Sequence, residues 1–315
     1  MEELSFYQIM ILHLYILSGM KRLIRKMLMG DAVFSEYSRV QFPGELPDKV
    51  WLEFSGKVVE VSRSHWLLCI EPLVFGVWIG QGRAEDGVYR LRLGDAALVT
   101  VDLIHRVEEA EGVLLLLKVR HCQLFQLDPV RRWLLYYRYY SRDKLSYQRF
   151  RGFVAAYSYP RRVRLVSFRE EDHYNIFPMD LLGEVAGRHY VFGLRHTNRT
   201  LERIIRSGKI VVSEVPAAYE DIIYKLGKHH SSSPPAPSEL PFEVRCTSGW
   251  KFYYPAFVYE YKEVKIRSTF NMGSHMLLWG DIVQRVQVNE GDDHSYLIHF
   301  LQHLHQVKKY RYPRS

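Results

Sequence analysis

Between residues 50 and 140 apolar and polar positions alternate in short bursts. Trp51-Leu52-Glu53-Phe54 opens a run that continues through Lys57-Val58-Val59-Glu60-Val61, and Val88-Tyr89-Arg90-Leu91-Arg92-Leu93 repeats with a period of two. Apolar runs of strand length occupy 65–70, 73–79 and 113–119, with Gly, Pro, Asp and Ser between them. Period two marks a half-buried strand. Several short strands at this spacing predict a small antiparallel β-barrel or sandwich. Asp102, His105 and Cys122 lie scattered here, at no spacing that demands a site.

Residues 131–151 are dense in Arg and Tyr. Such a stretch can bind single-stranded nucleic acid by stacking and phosphate contacts, but strands with exposed Arg and half-buried Tyr look the same. We read it as a strand followed by a linker and place a domain boundary near Ser141. Three segments result: a helical segment over 1–45, a β-rich domain over 46–141 and a second domain over 142–315.

The second domain mixes periods. Strands are expected at 163–168, 188–194 and 210–215, with a loop at 175–180. Thr197-Asn198-Arg199-Thr200-Leu201-Glu202-Arg203-Ile204-Ile205-Arg206-Ser207-Gly208 reads as a complete short helix. Thr197 or Asn198 caps it, Leu201, Ile204 and Ile205 form its apolar face, and Gly208 stops it. Pro216 opens a second helix that buries Tyr219, Ile222, Ile223 and Leu226 and ends at Gly227. The Pro- and Ser-rich stretch 229–241 reads as a mobile loop. Strands resume at 257–266, 275–288 and 296–310.

Composition narrows the class. Of 315 residues, 47% are hydrophobic, 25% charged and 14% aromatic, which excludes a disordered or collagen-like chain. The net charge of +8 favours an anionic partner: nucleic acid, a membrane surface or a phosphorylated cofactor. Cys69, Cys122 and Cys246 are few and form no CxxC pair, which suits a reducing, cytoplasmic compartment. Residues 4–20 are apolar but interrupted by Gln8, His13 and Ser18, and the charges Lys21, Arg22, Arg25 and Lys26 follow the run. It is short for a membrane span and ordered wrongly for a signal peptide, so a packed or frayed helix is expected and no membrane partner. Met20 is a second candidate start, which leaves open whether 1–19 are native sequence.

Most catalytic signatures are missing. Gly80-Gln81-Gly82 begins like a dinucleotide fingerprint, but Glu85 and a strand follow. No P-loop, HExxH or GxSxG occurs. Asn198-Arg199-Thr200 matches a glycosylation triplet, a common coincidence. His229-His230 and the C-terminal His294, His299, His303 and His305 have no acidic or Cys ligand at matching spacing, so no metal site is expected.

One ordered series of segments does carry a resemblance. It comprises Arg164-Leu165-Val166-Ser167, Tyr174-Asn175-Ile176-Phe177-Pro178-Met179-Asp180, Gly193-Leu194-Arg195-His196-Thr197-Asn198-Arg199-Thr200 with its helix, the strand ending at Ser213 and Pro216, and Gly273-Ser274-His275-Met276-Leu277-Leu278-Trp279-Gly280-Asp281-Ile282. In order and spacing these resemble the flavin reductase-like family, over about 147–310. The family's hydroxyl-rich loop is here Pro178-Met179-Asp180-Leu181, its strand Asn is Ser213, and its acidic partner in the last strand is Asp281.

The resemblance implies an FMN-binding split β-barrel, mainly β with a few helices, following the N-terminal β-domain. It implies non-covalent FMN, NAD(P)H as co-substrate, and a homodimer with flavin at the subunit interface. It places Ser167, Asn175, Pro178, Met179, Asp180, Arg195, Thr197, Asn198, Arg199, Thr200 and Ser213 against the flavin and gives His275 the catalytic position. Residues 195–200 independently offer charge-assisted donors for a phosphate. The expected activity is hydride transfer from NAD(P)H to flavin, with electrons passed to an acceptor protein; the cofactor performs the chemistry. A flavin-binding electron carrier without nicotinamide activity is the alternative. A basic β-barrel that binds nucleic acid through 132–151 and the tail Lys308-Lys309-Tyr310-Arg311 is the further one, though no nucleic-acid partner is expected.

Overall fold

The structure is a computed structural model that describes residues 37–42, 49–80, 87–141, 145–171, 173–299 and 301–302. The chain is mainly antiparallel β. Strand β1 (Tyr37–Phe42) is followed by β2 (Val50–Phe54), β3 (Lys57–Glu60), β4 (His65–Ile70), β5 (Leu73–Gly80), β6 (Tyr89–Leu93), β7 (Ala97–Glu109) and β8 (Gly112–Leu124). The last seven form one sheet in the order β3-β2-β6-β7-β8-β5-β4. Alternation drives it. In Tyr89-Arg90-Leu91-Arg92-Leu93 the odd residues are buried and the arginines exposed. Leu52, Phe75, Leu91, Val99 and Leu115, from five different strands, meet in one core, so the sheet curls around them.

The Arg/Tyr-rich stretch is helical, where a strand was expected. Helices α1 (Pro129–Tyr139) and α2 (Tyr147–Ala156) close the first core with Leu135, Phe150 and Val154, and that core runs on to Tyr157, past Ser141. Asp128 caps α1, its Oδ1 accepting from Arg131 N at 3.0 Å, and Pro129 fills the first turn. A cap and an N-terminal proline outweigh the β preference of tyrosine. The N-terminal segment 1–45, expected helical, contains strand β1; residues 1–36, with the apolar stretch at 4–20, lie outside the described residues. Among the described residues no helix is long and apolar enough to cross a membrane.

The second unit contains β9 (Arg161–Arg162), β10 (Arg164–Glu170), β11 (His173–Met179), β12 (Leu182–Val185), β13 (His189–Arg195), α3 (Leu201–Ser207), β14 (Lys209–Glu214) and α4 (Glu220–Lys225). The hairpin strands β15 (Val244–Cys246) and β16 (Tyr253–Pro255), then β17 (Glu260–Asn271), β18 (His275–Gln287) and β19 (His294–His299), complete it. Its main sheet runs β11-β10-β14-β17-β18-β13-β12, and β1-β19-β9 form a small separate sheet. Residues 175–180, expected as a loop, lie largely in β11. The stretch after α4 is also more ordered than a mobile loop. Leu226–His230 and Pro237–Glu239 are 3-10 turns, and His229 is buried. The final strand ends at His299; 303–315 lie outside the described residues.

A third apolar cluster joins the units. Leu68, Cys69, Val74, Trp78, Leu114 and Leu116 of the first pack against Val185, Val191, Met272, Leu277 and Trp279 of the second. This explains the unbroken apolar run of β8: Leu115 and Leu117 face the first core while Leu114 and Leu116 face the junction. At Gly193 a β-carbon would lie 1.6 Å from Leu68 O, so only glycine lets the β4 backbone approach this closely.

A buried ion cluster ties the second sheet together. Glu214 Oε1 lies 2.8 Å from Arg164 Nε and 3.2 Å from Lys262 Nζ, and Glu214 Oε2 lies 3.0 Å from Arg162 Nε. Lys262 also meets Glu184 at 3.0 Å and Glu260 at 2.5 Å. Burial works to raise the Glu214 carboxyl, but Arg164, Arg162 and Lys262 outweigh it and hold it far below the usual carboxylate range.

Candidate functional site

Residues at the ends of β11, β13 and β18 and before α3 converge. Arg195 and His275 face each other in the β13–β18 ladder. Beyond β13 the chain turns: Asn198 N donates to Arg195 O at 2.9 Å, and Asn198 Oδ1 accepts from Thr200 N at 2.8 Å. The helix therefore starts later than the sequence indicates, with Thr200 as its flanking residue, and it stops at Gly208, which takes a left-handed conformation (φ 63°). Asn175 reaches this turn from β11, its Nδ2 donating to Thr200 Oγ1 at 2.9 Å and to His229 O at 2.8 Å.

His275 is 1% exposed and held from both units. Its Nδ1 lies 2.8 Å from Ser274 Oγ and 3.6 Å from Cys69 Sγ. Ser274 Oγ accepts from Glu71 N at 3.1 Å, and Ser274 N donates to Glu71 O at 2.7 Å. The serine hydroxyl is thus placed to donate to Nδ1, which leaves the proton of neutral His275 on Nε2. Burial, followed by the charges of Arg195, His230 and His196, lowers His275 from 6.5 to about 4.

Three buried polar atoms here have no hydrogen-bond partner among the described residues: Asn175 Oδ1, His230 Nε2 and His275 Nε2. His230 Nδ1 is 2.9 Å from Asn198 Nδ2. Arg195, His196, Thr197 and Arg199 are exposed at the rim, and Arg195 has no ion-pair partner among the described residues. The segment after α4 lies beside them: His229 Nδ1 contacts Ile176 O at 3.2 Å, Tyr174 Oη donates to Pro235 O, and Arg199 reaches Ser233 Oγ at 3.4 Å.

The structure therefore gathers Asn175, Arg195, Asn198, Arg199, Thr200 and His275, with Thr197 in the connecting turn. It places the other expected residues elsewhere. Ser167 and Ser213 lie on the sheet face opposite Asn175, because Ser167 pairs with Ile176 and Ser213 with Leu165, whereas Asn175 pairs with Phe168. Pro178 falls on that opposite face too, since a strand alternates its side chains. Met179 is buried at the far end of β11. Asp180 lies beyond it, 3.0 Å from Arg161, on a cleft of about 940 Å³ between the units that Lys49, Arg63, His65 and Trp66 also line. Sequence reasoning passed over Cys69, Ser274 and His230. The last carried the only usable signal, as half of a His-His pair beside a Pro-rich stretch. No cluster of three or more His, Cys, Asp or Glu suited to a metal ion occurs among the described residues.

No family model matches the chain, and no curated protein matches it. Solved structures do. The flavin reductase component BorF of a bacterial two-component tryptophan halogenase is 12% identical, with 46% of this chain and 91% of that one covered at a TM-score of 0.42. The NADH:FAD oxidoreductase SgcE6 of Streptomyces globisporus C-1027 is 14% identical, with 46% and 88% covered at 0.41. An FMN-binding protein from Thermus thermophilus is 17% identical, with 41% and 71% covered at 0.36. The chain is similar to these flavin reductase-like proteins over less than half its own length.

Proposed function

We propose that the second unit binds FMN at the cluster of Asn175, Arg195, Thr197, Arg199 and His275, and that the protein is an oxidoreductase using NAD(P)H. The observation that carries this reading is the set of buried polar atoms without hydrogen-bond partners among the described residues, Asn175 Oδ1, His230 Nε2 and His275 Nε2, beside the exposed guanidinium of Arg195. Of the groups that lower His275, Arg195 is the fixed positive charge, while burial pushes His230 down from its ordinary value. Buried polar atoms without partners beside a fixed positive charge are complementary to an anionic ligand with a polar edge.

The residues present fit such a group. Arg195, Thr197 and Arg199 would hold the phosphate through charge-assisted hydrogen bonds. Asn175 Oδ1 is an acceptor and His275 Nε2–H a donor for the polar edge of the ring, and each is buried without a partner. The chemistry a bound flavin supplies is acceptance of a hydride from nicotinamide and transfer of electrons to an acceptor. His275 stays neutral at pH 7, so it orients and donates and does not add charge. Arg195 would supply fixed positive charge at the phosphate end of the ligand.

The test is anaerobic addition of NADH or NADPH to the FMN-loaded protein, followed by visible absorption. The proposal expects bleaching of the flavin band, slowed at least tenfold in Arg195→Ala. Tight FMN binding without bleaching would convert the enzyme reading into that of an electron carrier.

A further inference from the structure

The two main sheets are the same sheet twice. Written in spatial order, β3-β2-β6-β7-β8-β5-β4 and β11-β10-β14-β17-β18-β13-β12 correspond strand for strand, hairpin for hairpin. The likeness extends to single residues. Strands β8 and β18 are both 13 residues long, and a shift of 163, from Gly112 to His275, carries one onto the other. The hairpin β7–β8 breaks register between Thr100 and Val101 and between Leu103 and His105. The hairpin β17–β18 breaks it between Glu263 and Val264 and between Ile266 and Ser268, the same positions after that shift. The cross-strand pair Asp102–Lys118 becomes Lys265–Asp281, with the charges exchanged. A bulge is a specific local device, and two shared bulges at fixed spacing do not follow from antiparallel pairing alone.

The junction obeys the same correspondence. Leu114 and Leu277 are counterparts, as are Leu116 and Trp279, and all four pack in the cluster between the units. Strands β4, β5 and β8 meet β12, β13 and β18, so each unit presents the same surface to the other. That self-complementary arrangement is the hallmark of a two-fold dimer interface.

Among the described residues the site is not duplicated. Following the ladders, Gly112 takes the place of His275, Gly80 that of Arg195, and Lys57 that of Asn175. Residues 81–88 link β5 to β6 where 196–208 link β13 to β14 and contain α3. Residues 94–96 link β6 to β7, where 215–259 carry α4 and the turns that reach Asn175.

We infer that the chain is an internal duplication in which the N-terminal unit has lost its own site and serves as the in-chain partner subunit of the C-terminal one. Its strand β4 supplies Cys69, and the turn that follows supplies Glu71, to the wall behind His275. The homodimer implied by the resemblance is met within one chain, and one ligand binds per chain. Only the ligand's identity rests on the flavin proposal.

The test combines Glu111→Cys and Arg188→Cys, the two ends of an inter-unit ion pair, in a chain also carrying Cys246→Ser. Chains labelled with ¹⁴N and ¹⁵N are mixed and treated with a short bismaleimide, and the linked peptides are weighed. Same-isotope links only are expected. Mixed links at the statistical ratio would show that the face joins separate chains and would overturn the inference. Equilibrium dialysis with FMN on the unmodified protein is expected to saturate at one per chain; two per chain would equally overturn it. Absence of FMN binding would refute the flavin proposal, while the isotope result would still decide this one.

Discussion

Among the described residues, the buried His65, His275 and His299 and the half-buried His294 are held in the neutral form, and together they shape the chain's behaviour in acid. Burial lowers His65 and His275 from 6.5 to about 4, and lowers His299 to about 3. His294 falls to about 4 through burial and the adjacent Arg162. His299 shows the cause most clearly. Its Nδ1 accepts from Leu301 N at 3.2 Å and its Nε2 sits 3.2 Å from Tyr140 Oη, so a second proton breaks an existing hydrogen bond inside the core. The unfolded chain binds protons that the folded chain refuses. Stability is therefore level above about pH 7.5 and falls as the pH drops through 6.5 toward 4. Each histidine contributes a limiting slope of about 1.4 kcal/mol per pH unit, hence about 5 kcal/mol per unit for four. Between pH 6.5 and 5.5, where the unfolded histidines are only partly protonated, the loss is about 4 kcal/mol, a large share of the roughly 5–15 kcal/mol typical of a domain. Urea unfolding followed by circular dichroism at pH 7.5, 6.5 and 5.5 measures this. His299→Gln should reduce the slope by about a quarter. A slope below about 1.4 kcal/mol per pH unit, less than one proton, would refute the reasoning.

Other substitutions probe the remaining claims. Glu214→Gln leaves Arg164, Arg162 and Lys262 without their central carboxylate and should cost about 3–5 kcal/mol in denaturant unfolding at pH 7. Trp279→Ala opens a cavity in the inter-unit cluster and should cost about 3–5 kcal/mol by the same measurement. Gly193→Ala drives a methyl into Leu68 O, so β4 must move; a loss of at least about 1–3 kcal/mol is expected in thermal or urea melts. Arg195 is exposed and has no ion-pair partner among the described residues, so Arg195→Ala should leave the urea midpoint unchanged while weakening FMN by about 10- to 100-fold, the worth of a charge-assisted hydrogen bond.

Period-two alternation made the first sheet readable, and β2 and β6 fall where the pattern places them. The continuous apolar runs of β5 and β8 were readable as strands but not as an interface, although burial on both faces is what such runs record. The Arg/Tyr stretch misled because tyrosine favours strands, while the deciding signal was local, at Asp128 and Pro129. In the site, the short helix and its stop at Gly208 were legible, but its start was not: Thr197 or Asn198 was expected as the cap, whereas Thr200 flanks the helix and makes no side-chain cap, Asn198 closing the preceding turn instead. Ser167, Ser213 and Asp180 were not separable from Asn175, because neighbours in sequence along a strand face opposite sides. The duplication was hidden because topology and bulge positions recur here without matching residues.

The central claim is that the Asn175–Arg195–His275 cluster holds a flavin. The direct measurement is a visible absorption titration of the purified protein with FMN, with release on denaturation, run beside Arg195→Ala. Perturbed flavin bands that saturate at one FMN per chain, and weaken in the variant, are the predicted result. A protein that leaves the FMN spectrum unchanged at every ratio would contradict the account.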